Sequence, residues 1–227
     1  MKNTHPFKIL IYLLAVAALP AMAQKDLSAE VWFDKQVGLE NSGLFNGHEY
    51  LFPFRGASTH PFFFAEGGSK GEVFYNHQWY PEIFLMYDLF TNEVILKHQT
   101  NGLTKLMCFD QNDLDSFTLF DHHFLKINGQ FYDVLFKGTD WALLATRKKS
   151  RQVISGSVEF EEELNYFIQQ AQGLTLFSGK KTFMSLCPQH VDLQDFIKKS
   201  KIRLGQKNEK DLVLICQFIE KSRKSAK

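Results

Sequence analysis

The stretch EVFYNHQWYPEIFLMYDLFTNEVILKH, residues 72–98, decides the fold. Glu72–Tyr75 and Gln78–Tyr80 flank the turn pair Asn76-His77. Ile83, Leu85 and Tyr87 then fall on one face of an extended segment, with Phe84 and Met86 on the other. Side chains of a strand alternate between its faces, so apolar residues at both sets of positions predict a strand covered on both sides. Thr91-Asn92 makes a turn, and Glu93–His98 is the expected hairpin partner.

The same period of two runs outward from this stretch, from about Leu44 to Leu186. Asn101-Gly102 and Asn128-Gly129 are strong turn pairs, because both residue types tolerate positive φ. Between them, Thr104–Phe109, Ser116–Phe120 and His123–Ile127 read as strands, the last two joined by Asp121-His122. Gln130–Lys137, Trp141–Lys148, Asn165–Gln170, Leu174–Phe177 and Thr182–Leu186 follow. Residues Lys148 to Ser157 read as an exposed loop or strand extension. Glu161-Glu162-Glu163 could instead open a short helix ending near Gln172-Gly173.

The tail changes period. Asp192 is a helix N-cap before Leu193, Phe196 and Ile197, which sit at i, i+3 and i+4. Gly205 is a stop, Asn208 with Asp211 marks a second start, and Leu212, Ile215, Cys216 and Ile219 recur at helical spacing. The expected fold is mainly β, a β-sandwich or partly open barrel of about ten strands with two short C-terminal α-helices, α+β by strict count. In domain terms this is a leader at 1–23, an extension at 24–43, a β-rich body at 44–187, a helical pair packed on it at 188–221, and a frayed tail at 222–227.

Lys2, His5 and Lys8 precede an apolar run from Ile9 to Leu19, then Pro20 and the small residues of Ala21-Met22-Ala23. These are the features of a secretory signal cut after Ala23, with a periplasmic or extracellular mature chain expected. Eleven apolar residues are too few for a spanning helix, which needs roughly 20, and no later stretch reaches that length. No transmembrane segment is therefore expected in the mature chain. Of 227 residues, 44% are hydrophobic and 22% charged, as in globular proteins, and the formal net charge of +1 lacks the basic surplus of a nucleic-acid binder. Phe is the compositional outlier at 23 residues. Three cysteines, Cys108, Cys187 and Cys216, permit at most one bridge, and the preferred reading makes all three small core residues.

Several short segments occur in a familiar order: Gly43-Leu44-Phe45-Asn46-Gly47-His48-Glu49-Tyr50, His60-Pro61-Phe62-Phe63, Tyr87-Asp88 with Glu93-Val94, Gly129 through Gly138, and the tail around Phe196-Ile197. In that order they resemble a family of secreted proteins of Bacteroidetes bacteria that has no assigned biochemical activity. The resemblance implies export and a β-rich body, and it brings no catalytic residues.

Catalytic templates fit poorly. Gly173 to Thr182 mimics a phosphate loop, but five residues separate its glycines and Lys181 stands where Ser or Thr should hold magnesium. Asp110–Asp121 mimics a calcium loop, but its sixth position is Asp115 rather than Gly. His122-His123 point to opposite faces of one strand, and His48, His60, His77, His98 and His190 have no ligand spacing, so no metal is assigned. No cofactor motif is found, and none is expected. Cys187-Pro188-Gln189-His190 offers a thiol beside an imidazole without an orienting Asn or Asp.

The most unusual string is His60-Pro61-Phe62-Phe63-Phe64, read first as core filling and second as a contact surface. The candidate ligand or partner contacts are His60, Phe62, Phe63, Tyr87, Asp88 and Tyr132. The expectation is a non-enzymatic binding or scaffold module of the cell envelope, meeting an envelope protein or an apolar ligand but no nucleic acid. Two alternatives stay open: a hydrolase assembled from dispersed His and Asp residues, and a small β-barrel carrier of an apolar ligand.

Overall fold

The computed structural model describes residues 43–54, 56–100, 102–187, 192–204 and 208–225. The leader at 1–23, the extension up to residue 42, Asn101, Pro188-Gln189-His190 and Gly205 lie outside the described residues. Eleven strands are described: β1 (His48–Glu49), β2 (Ser69–Tyr75), β3 (Gln78–Asp88), β4 (Glu93–Thr100), β5 (Leu103–Cys108), β6 (Leu114–Leu119), β7 (His122–Ile127), β8 (Gln130–Lys137), β9 (Trp141–Ile154), β10 (Ser157–Gln170) and β11 (Gly173–Leu176). Three helices follow, α1 (Lys180–Leu186), α2 (Leu193–Lys199) and α3 (Glu209–Ser225). The protein is mainly β with a few helices, as the alternation predicts.

All strands join one antiparallel sheet in the order β1-β5-β4-β3-β2-β6-β7-β8-β9-β10-β11. Two meanders meet where β6 lands beside β2. Tyr87 of β3 and Phe131 of β8 stand four strands apart, roughly 19 Å in a flat sheet, yet their ring centroids are 6.0 Å apart. The sheet is therefore strongly curled, an open sheet approaching a barrel. Inside the curl Phe117 stacks on Phe124 at 4.6 Å and meets Phe131 and Tyr87 edge-on. Much of the Phe surplus is spent here, in edge and offset contacts that suit the ring quadrupole.

The segment before β2 completes the curl. β2 begins opposite Leu85, leaving the end of β3 without a β2 partner. The Phe63 N–H donates to the Tyr87 carbonyl, Leu89 N–H donates to the Pro61 carbonyl, and Phe62 bridges Asp88. The Lys149 ammonium donates to the carbonyls of His60 and Phe62, and the Ser58 N–H to that of Val158. This segment thus ties the end of β3 to the β9–β10 hairpin.

On the far side the helices cover β9 and β10. Trp141, Leu143 and Ala145 alternate inward along β9 and meet Phe183, Leu193, Leu212, Ile215, Cys216 and Ile219. Asp192 caps α2 by accepting from the Asp195 N–H at 2.9 Å, as its position predicts. Glu220 anchors α3, accepting from the Thr139 N–H, the Thr139 hydroxyl and the Trp141 indole N–H. A Cβ at Gly138 would lie 2.7 Å from that carboxylate and 2.8 Å from the Trp141 indole nitrogen, so a side chain there would push this anchor aside.

Several local expectations change. Lys180–Leu186 is a helix, not a strand: Phe183 and Leu186 are both buried, and a three-residue spacing shares a face only in a helix. The Glu161-Glu162-Glu163 region is strand, running unbroken through the 14 residues of β10. Lys148 to Ser157 is mostly the arm of the β9–β10 hairpin, turning at Ser155-Gly156 with both φ positive. The β6–β7 turn is Phe120-Asp121, one residue earlier than expected, which pairs Leu119 with His122 and Phe117 with Phe124. A one-residue slip would turn both rings out of the core. The expected frayed tail is helical from Ser222 to Ser225. Cys108, Cys187 and Cys216 are all free thiols, the first and last buried and Cys187 half-buried.

Candidate functional site

The sequence candidates divide. His60, Phe62, Phe63, Tyr87 and Asp88 come together where residues 61–63 join the end of β3. All but His60 are nearly inaccessible and act as structure. Asp88 accepts from the Tyr50 hydroxyl at 2.6 Å and from the N–H groups of Phe90 and Thr91, closing the turn after β3. Burial, and then the hydrogen bond to Asp88, raise the Tyr50 hydroxyl far above its usual pKa. The Tyr87 hydroxyl donates to Asn92. His60 is half-buried, and burial followed by the charge of Lys149 holds its imidazole below the usual histidine value. Tyr132 lies apart, edge-on to Phe167 at 5.5 Å.

A second constellation surrounds Asp133, buried in β8 with 1% of its side chain exposed. Asp133 Oδ2 accepts from His122 Nδ1 at 2.7 Å and from Arg147 at 2.8 Å. Its other oxygen, Oδ1, is buried without a hydrogen-bond partner among the described residues. Arg147 reaches on to Glu209 of α3 at 2.7 Å and to Glu162 at 3.5 Å. Burial alone would lower the guanidinium pKa, but Asp133 and Glu209 outweigh it and hold Arg147 above its usual range. The Asp133 carboxylate can only accept, so the contact orients the His122 ring with an Nδ1 proton toward it.

Aromatic rings close over this network. Phe63 stacks on Phe64 at 4.2 Å and lies 5.3 Å from the Arg147 guanidinium carbon. Phe64 and Phe120 meet edge-on at 5.7 Å, and His122 meets Phe64 edge-on at 5.2 Å. Phe64 is 60% exposed, and both Phe64 and Phe120 hold left-handed backbone, with φ of 54° and 51°. A bulky residue in that region is strained, and such strain collects at functional positions. The result is an aromatic and imidazole knuckle on a rigid charged base. Sequence reasoning found Phe63 but missed Phe64, Phe120 and the partnership of His122, Asp133 and Arg147. The adjacent Phe residues at 62–64 were the available signal.

A third grouping brings together ligand-type atoms that looked scattered in sequence. His48 Nε2 lies 3.1 Å from Glu93 Oε1, and the Cys108 sulfur joins them with all three atoms within 4.8 Å of one another. Burial, then Glu93, pushes the Cys108 thiol up to about 12. A cleft of about 370 Å³ borders His48 and Glu93, walled by Asn46, Phe109, Asp110 and Gln111. A larger open hollow of about 720 Å³ lies against α2, where Lys198 and Lys201 of the basic run mix with Asp192 and Asp195.

Among the described residues, no helix is long and apolar enough to cross a membrane. No family model, curated protein or solved structure matches the chain.

Proposed function

We propose that this chain is an exported cell-envelope protein that works as a non-enzymatic binding module, with the Phe64–Phe120–His122 knuckle as its contact surface. The observation that carries this reading is the strained Phe64, 60% exposed and seated on the buried Asp133–Arg147 base. Exposed rings on a rigid support bind with little loss of conformational freedom. Export is supported by the basic, apolar and small-residue segments before Gln24, and by the resemblance to secreted Bacteroidetes proteins. The filling of the curl by Phe117, Phe124 and Phe131 weighs against an apolar-ligand carrier.

Cross-linking and pulldown from native envelope with the wild-type chain and Phe64→Ser tests the surface. A partner captured equally by both would end this reading. Fractionation with N-terminal sequencing should find a mature chain starting at Gln24 outside the cytoplasm.

A hydrolase remains the second reading, favoured by the 2.7 Å His122–Asp133 hydrogen bond. Such a pair holds an imidazole as a general base. Turnover in a panel of ester and amide substrates, abolished by His122→Asn, would establish it instead.

A further inference from the structure

We infer that His48, Glu93 and Cys108 form a zinc site with three protein ligands and a fourth position open to the cleft between Asn46 and Gln111. The sheet register builds the site. His48 of β1 pairs directly with Cys108 of β5, and Cys108 pairs with Ile95 of β4. Residues opposed across an antiparallel pair share a face, and so do residues two apart on one strand. Glu93 lies two residues before Ile95, so all three ligand-type side chains stand on one face of three adjacent strands.

Their chemistry suits a borderline-soft divalent ion. Imidazole nitrogen, carboxylate oxygen and thiolate sulfur are the zinc donors, and three protein ligands with an open place define the catalytic type of site. Two donors about 2.0–2.1 Å from a tetrahedral zinc stand roughly 3.3 Å apart. The 3.1 Å between His48 and Glu93 matches that span. The 4.8 Å bound on the whole set leaves a small inward shift for the sulfur. Gly47 is part of the same design, since a Cβ there would lie 1.6 Å from the Cys108 carbonyl oxygen. Only glycine lets β1 come close enough to set His48 beside the thiol. Tyr50, Phe62, Met86 and Ile95 pack around Cys108 and give the sulfur an apolar shell, while the cleft keeps the nitrogen and oxygen side open.

On binding, the Cys108 thiol passes its proton to the buffer and its sulfur bonds to the metal. Zinc titration of the reduced full chain against a chromophoric chelator tests the inference. One equivalent should bind, and Co²⁺ in its place should give a thiolate-to-cobalt charge-transfer band. His48→Gln, at a largely exposed side chain, leaves the core intact and should weaken uptake by at least roughly tenfold. Cys108→Ser should remove the cobalt band, with circular dichroism reporting whether that variant is folded. His122→Asn should bind like the wild type. No uptake by the reduced wild type, equal uptake by His48→Gln, or a cobalt spectrum without the thiolate band would each overturn the site.

Discussion

Between β2 and β8 the sheet covers its inner face with its own rings, whereas between β9 and β11 three helices do that work. Inside the first half Tyr87, Phe117, Phe124 and Phe131 touch one another, with the buried Asp133 and its partners His122 and Arg147 at the β8 border. The second half is covered by a lid, fixed by a polar anchor in which Glu220 of α3 holds Thr139 and Trp141. One continuous sheet can thus bury a face by bending or by recruiting helices.

Phe117→Ala attacks the ring-filled half, where Phe117 has no exposed surface. It should cost about 3–5 kcal/mol in denaturant unfolding. Arg147→Ala strikes the charged boundary between the halves and leaves Asp133 buried without its cation. A loss of about 3 kcal/mol is expected, and adding Asp133→Asn should recover part of it. Glu220→Ala releases the lid of the helical half. It should cost about 1–3 kcal/mol, with a change in Trp141 fluorescence that Phe117→Ala does not reproduce in kind. The smallest effect concerns pH. Burial and Lys149 hold His60 below the ordinary 6.5, so the unfolded chain takes up the proton more readily. Stability is complete above that value and declines as pH falls through the folded-state value. Unfolding curves of His60→Gln between neutral and mildly acid pH should show a shallower decline than the wild type.

The sequence made the hairpins legible wherever a residue advertised its turn. Asn128-Gly129 carries the positive φ both residues tolerate, and the turn falls where that pair predicts. Phe120-Asp121 does the same with a Phe, which no turn preference would select, and the reading slipped by one residue. β1 is two residues long, too short to show a period. The seven-residue α1 has a single buried pair, Phe183 and Leu186, too few positions to set a helical period against the strands before it. The candidate sites were the least readable. His48 and Cys108 are 60 positions apart, and Arg147 and Glu209 are 62 apart. Such residues meet only through strand register and helix docking, which local sequence does not encode. The aromatic string at 62–64 was visible, but only its last ring faces solvent.

Strand β8 gives Phe131 to one interior and sets Leu135 and Phe136 against the other. Among the described residues, β8 is therefore a wall shared by both interiors. Severing the chain on either side of β8 should strip a wall from both compartments at once, and a single unfolding transition seen alike by circular dichroism and Trp141 fluorescence is the expected outcome.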